Sequence, residues 1–106
     1  MTIEHRKRNG ATVQDDTDGS IPWGWVVCTD SFLSGWGYCP GRSLYALAVS
    51  NARQANIVAH NARARSDMKR VRFMRNVRGL RLKAGDHLRM VGPDQAARWY
   101  EEGGSR

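Results

Sequence analysis

Asn51-Ala52-Arg53-Gln54-Ala55-Asn56-Ile57-Val58-Ala59-His60-Asn61-Ala62-Arg63-Ala64-Arg65 is the stretch whose reading decides the fold. At about 100° per residue, Ala52, Ala55, Val58, Ala59 and Ala62 fall within one arc of about 120°. Arg53, Asn56, His60 and Arg63 share the opposite, polar side. Ser50 or Asn51 supplies an N-cap, and Gln54, three residues after Asn51, fits a capping box. Arg63 and Arg65 stand where the helix dipole favours cations. The spacing predicts a helix over 51–65, and its alanine-lined face predicts close packing on a sheet. Ile57 projects away from that face, so it is either exposed or covered by a later element.

The flanks read as strands. Upstream, Trp23 to Phe32 is rich in aromatic and β-branched residues, and Leu44 to Val49 is a short apolar run. Between them Ser34-Gly35-Trp36-Gly37-Tyr38-Cys39-Pro40-Gly41 must be a loop, which predicts a hairpin with a long, aromatic-tipped connection. Downstream, Val71, Phe73 and Met74 mark a strand over Lys69 to Arg75. Leu80, Leu82, Leu88, Met90 and Val91 then suggest one or two more strands around an Ala84-Gly85-Asp86 turn. Pro93 opens a second helix running to about Glu102 and anchored by Trp99. Residues 1–20 lack a hydrophobic period and read as a disordered polar tail, with 21–102 as one domain and a frayed 103–106. The expected fold class is α+β: a small antiparallel or mixed sheet of three to five strands with two helices, in the order β-β-α-β-β(β)-α.

A chain of 106 residues has room for one modest core. Its net charge of +7 is carried almost wholly by arginine, since only Lys7, Lys69 and Lys83 are lysines. Arginine presents a rigid, permanently charged fork that matches phosphate and carboxylate, so the excess favours anionic partners. No signal peptide or apolar membrane span is evident, and Cys28 and Cys39 set no disulfide framework. The default setting is a reducing cytoplasm, and the sequence leaves the oligomeric state open, a dimer through a sheet edge included.

Nine cations lie within the twenty-one residues from 63 to 83: Arg63, Arg65, Lys69, Arg70, Arg72, Arg75, Arg78, Arg81 and Lys83. Asp67 alone opposes them there. On a regular strand Arg70 and Arg72 share one face, with Val71 and Phe73 on the core side. Such a row would bind phosphates in a salt-dependent, largely sequence-independent way. The bland alternative is a solvated face with ion pairs to Asp67, Asp86, Asp94 and Glu101. Trp23 and Trp25 lie two apart on the first strand, where core packing is the expected use. Trp36, flanked by glycines, and Tyr38 are candidate contact residues.

Catalysis has little scaffold. His5, His60 and His87 are scattered, and a Cys28 or Cys39 pair with His60 is the one nucleophile arrangement to consider. No carboxylate dyad, metal cage, P-loop or dinucleotide fingerprint is present, so neither a cofactor nor a metal is expected.

The run Cys28-Thr29-Asp30-Ser31-Phe32-Leu33-Ser34-Gly35-Trp36-Gly37, followed by the helix end Asn61-Ala62-Arg63-Ala64-Arg65-Ser66-Asp67-Met68-Lys69-Arg70-Val71, resembles small accessory proteins carried by bacteriophages and other mobile elements. The resemblance covers roughly residues 26 to 75 and stops short of the basic run from Arg75 to Lys83. It implies a small accessory protein in a bacterial host. Two functions are carried forward. The first is non-catalytic nucleic-acid binding through the Arg-rich surface. The second is an anti-defence inhibitor of the anti-CRISPR type, whose arginines and aromatics dock on an acidic host protein or ribonucleoprotein.

Overall fold

In the computed structural model, residues 4–8, 10–17, 21–31 and 41–92 are described. They form six strands and one α-helix: β1 (Glu4–Arg8), β2 (Ala11–Asp16), β3 (Gly24–Asp30), β4 (Ser43–Val49), α1 (Ala52–Ala64), β5 (Met68–Met74) and β6 (His87–Val91). The strands make a single mixed sheet in the order β1-β2-β6-β4-β3-β5. The neighbours β1/β2, β3/β4 and β3/β5 are antiparallel, whereas β6 runs parallel to both β2 and β4. The α+β class therefore holds. The second helix expected after Pro93 lies outside the described residues.

Two crossovers set the topology. Because β4 and β5 both oppose β3, they run parallel to each other, and α1 carries the chain between them over one face of the sheet. Parallel strands need such a connection. The helix begins at Asn51, whose side chain accepts from the Gln54 amide at 2.9 Å. Gln54 completes a reciprocal cap one residue earlier than the sequence suggested, accepting from the Ser50 amide. Ala55, Val58, Ala59, Asn61 and Ala62 are buried, while Ala52 in the first turn is exposed and Ile57 is half-buried. The packed stripe is thus rotated relative to the alanine arc. It meets Val26, Leu47, Val49 and Val91, with Val71 and Tyr45 at its margin.

The second crossover, residues 75–86, passes over the other face from edge strand β5 to β6. It holds a single 3₁₀ turn at Val77–Gly79 and no strand over 80–83. Val77, Leu80 and Leu82 point into the sheet and join Trp25, Val27, Leu44, Ala46, Ala48, Leu88, Ala11 and Val13 in the second core. The alternation of Leu80 and Leu82 was legible. It marks a strap lying on the sheet rather than an additional strand within it. With a helix on one side and the strap on the other, all seven residues of β3 are buried.

Residues 1–20 are not a tail throughout. Glu4–Arg8 and Ala11–Asp16 form a hairpin whose second strand pairs with β6, so the domain begins well before residue 21. Gly10, at a φ of 82°, makes the turn, and its carbonyl accepts from the Gly85 amide at 3.1 Å. Gly85 also has positive φ, and Gly41 lies against it. A Cβ on Gly41 would sit 2.4 Å from the Gly85 carbonyl carbon, so only glycine fits there.

Candidate nucleic-acid interface

β5 lies at one edge of the sheet, and the strap leaves from its end. The cations of residues 63–83 are therefore gathered along one border of the molecule and across the outer side of the strap. A seven-residue strand spans about 20 Å, several phosphate spacings of an extended nucleic-acid strand. Arg63 and Arg65 mark the start of this border at the end of α1. Lys69, Arg70 and Arg72 lie along β5, with Arg75 just past its end. Arg78, Arg81 and Lys83 are exposed on the strap, alternating with the buried Val77, Leu80 and Leu82. The buried leucines anchor the segment, and the charges between them face water.

The row differs from a regular strand. The β3–β5 register pairs Val27 with Arg72 but Thr29 with Lys69, so an extra residue bulges between them. Arg70 occupies that bulge with a φ of 54°, in the left-handed region where a non-glycine residue is strained. The alternation restarts there. Arg72 and Lys69 stand across from Val27 and Thr29 on the strap side, and the expected Arg70/Arg72 face is not formed. Val71 reaches the helix-side core as expected, but Phe73 is 41% exposed instead of buried.

Partnering divides these cations sharply. Arg65 pairs with Asp67 through Nε and Nη2, at 3.1 and 3.0 Å. Asp86, the second acid considered as a neutraliser, is fully engaged elsewhere. Buried at 2% exposure, it accepts from the Arg42 backbone amide, Arg42 Nε and Nη2, and the Lys83 amide. Burial pushes its pKa up, but these four hydrogen bonds outweigh that and hold the carboxyl below its ordinary value. Asp94 and Glu101 lie outside the described residues. Arg63, Lys69, Arg70, Arg72, Arg75, Arg81 and Lys83 form no ion pair among the described residues. Among the described residues, Arg63 and Arg72 donate only to the carbonyls of Val71 and Arg70.

The aromatic expectations are revised. Trp25 is in the core at 5% exposure, but Trp23 is 37% exposed. Its ring centroid lies 5.3 Å from that of Phe73 at a 35° tilt, and the Arg75 guanidinium sits 4.7 Å from the Trp23 centroid. Arg75 Nε also donates to the Trp23 carbonyl at 2.9 Å. Gly24 makes this possible, since a Cβ there would fall 2.5 Å from Phe73 Cε1. The signal available in the sequence was Trp23-Gly24, with the glycine opening space beside the indole. Trp36 and Tyr38 lie outside the described residues.

A concavity of about 290 Å³ lies on the helix-side face beyond α1 and is lined by Thr12, Gln14, Ser43, Tyr45, His87 and Arg89 among others. Its arginine is already committed, because Arg89 Nε donates to the buried Asp16 at 2.8 Å. Cys28 is a free, buried thiol 3.7 Å from the Met68 sulfur. Burial pushes its pKa up to about 12, so it carries no thiolate at neutral pH. Among the described residues no helix is long and apolar enough to cross a membrane. Comparison with known proteins gives no match, whether by family model, among curated proteins or among solved structures.

Proposed function

We propose that the protein is a non-catalytic accessory protein that binds nucleic acid along the β5 edge and the outer side of the 75–86 strap. The observation that carries this reading is that Lys69, Arg70, Arg75, Arg81 and Lys83, exposed along the β5 edge and the strap, form no ion pair among the described residues, while the acids nearby serve Arg42 and Arg65. A cation held by backbone packing beside it, with no carboxylate to release, meets a phosphate at little cost. The bland alternative of a self-neutralised face keeps one pair among the described residues, Arg65–Asp67, and loses Asp86 to Arg42. Origin in a bacteriophage or mobile element, acting in the host cytoplasm, rests on the sequence resemblance.

The test is fluorescence anisotropy with labelled DNA and RNA at low and physiological salt. Neutralising Lys69, Arg70, Arg81 and Lys83 to glutamine removes charges that hold no described side-chain partner. Affinity is expected to fall steeply with salt in the wild type. In the variant the slope of log affinity against log salt should be shallower by about one unit for each phosphate that is no longer neutralised. Binding that is insensitive to both changes sinks the reading. If no nucleic acid binds at low salt, the same surface is assigned to an acidic protein or ribonucleoprotein, as an anti-defence inhibitor would require. A nuclease-resistant complex would then identify that partner.

A further inference from the structure

We infer that the Trp23–Phe73–Arg75 cluster is a stacking platform for unpaired bases, which makes the preferred ligand a single strand of DNA or RNA rather than a duplex. This rests on the nucleic-acid reading above and names the form of ligand that the border takes. Both rings are more than one-third exposed in a domain that buries Trp25, Val26 and Val27 almost completely a few residues away. The patch is apolar, yet it stands at the end of a cationic strand, so an oily protein surface is a poor complement. A nucleotide combines a flat π-face with an adjacent anion, which is what the cluster offers in mirror form.

The cluster is also pre-ordered. Arg75 is tied to the Trp23 carbonyl through Nε, and its terminal amino groups make no hydrogen bond among the described residues. They are free to take a phosphate while the guanidinium lies against the indole. Phe73 is seated over Gly24 in the space left by the missing side chain. A base laid on the exposed aromatic surface would place a flanking phosphate toward Arg75. Bases inside a duplex are already stacked on each other and cannot use the rings.

The experiment compares labelled oligo(dT), oligo(rU) and a mixed-sequence duplex on the full chain. Trp23→Leu and Phe73→Leu keep apolar bulk but remove the π-face, Trp23→Phe restores it, and circular dichroism checks that each variant is folded. The expected result is a loss of about tenfold in single-strand affinity for each leucine variant, near wild-type affinity for Trp23→Phe and unchanged duplex binding. The DNA and RNA arms identify which sugar is preferred, and either preference fits the platform. Leucine variants that bind single strands like the wild type, or lose duplex affinity equally, overturn it. The border reading would survive that outcome if the Lys69, Arg70, Arg81 and Lys83 variant still lost salt-dependent binding. Absence of binding to all three probes overturns both.

Discussion

Two groups of arginines share this small sheet and differ in every respect except residue type. Arg42 and Arg89 reach across strands to Asp86 and Asp16, whose carboxylate side chains are only 2% and 1% exposed. Arg70 and Arg81 are exposed and form no ion pair among the described residues. The first group closes the fold. Arg42 Nη2 also donates to the Arg81 carbonyl, so one guanidinium joins the β4 entrance to the strap and to the turn before β6. The second group adds charge without closing anything. Composition cannot distinguish them, since a count of +7 adds both together. What separates them is whether the topology delivers a carboxylate to the same place.

Removing the acid from the first group should produce the largest effect on stability. Asp86→Ala leaves the Lys83 and Arg42 amides without their acceptor and Arg42 without its counter-charge. A loss of about 3 kcal/mol is expected, read as a lower urea midpoint at unchanged slope. A loss below about 1 kcal/mol would erase the distinction between the groups. The same carboxyl gives the comparison a pH axis. Its folded-state pKa lies below the ordinary value, so its stabilising contribution is present at neutral pH and is lost as pH falls below about 4 and through the folded value. Asp86→Asn, which does not titrate, should show a shallower fall in stability over that acid range. Equal slopes for the two proteins would mean that other carboxylates govern acid unfolding.

The helix, the β3–β4 hairpin and the strand at Met68–Met74 were legible because periodicity and apolar runs report burial directly. The N-terminal hairpin was not, although Asn9-Gly10 is a strong two-residue hairpin signal. Only Ala11 and Val13 alternate beside it, too short a pattern to stand out from a polar stretch. Its place in the sheet depends on β6, more than seventy residues away in the chain. The strap departs from the strand expected of its sequence for a related reason. Leu80 and Leu82 alternate as in a strand, and only the insertion of β6 between β2 and β4 forces the intervening chain to cross a face instead of joining an edge. At the candidate site the cationic run was visible, but its geometry was not. Pairing of β5 with β3 creates the bulge at Arg70, and no local pattern in Lys69-Arg70-Val71-Arg72 announces it.

Arg65 occupies the middle ground and sharpens the comparison. It is charge-paired like Arg42, but Asp67 is 35% exposed and two residues away on the same turn. Water therefore screens the pair, and a double-mutant cycle of Arg65→Gln and Asp67→Asn should give a coupling of about 0.5 kcal/mol. A coupling above about 2 kcal/mol would place Arg65 with the arginines that close the fold and remove it from the binding border.

The smallest effect on stability should come from the largest change in charge. Replacing Lys69, Arg70, Arg81 and Lys83 with glutamine removes four positive charges, yet each side chain faces water and no described acid loses a partner. The strap is held by Val77, Leu80 and Leu82 beneath and by the Asp86 bonds at its end, none of which uses those four side chains. The unfolding free energy is expected to stay within about 0.5 kcal/mol of wild type. Any change at low salt should be toward greater stability, because like charges crowded along one border repel one another. A marked destabilisation would mean that these side chains help to seat the strap, and the line between arginines that build the domain and arginines that face its partner would have to be redrawn through the strap itself.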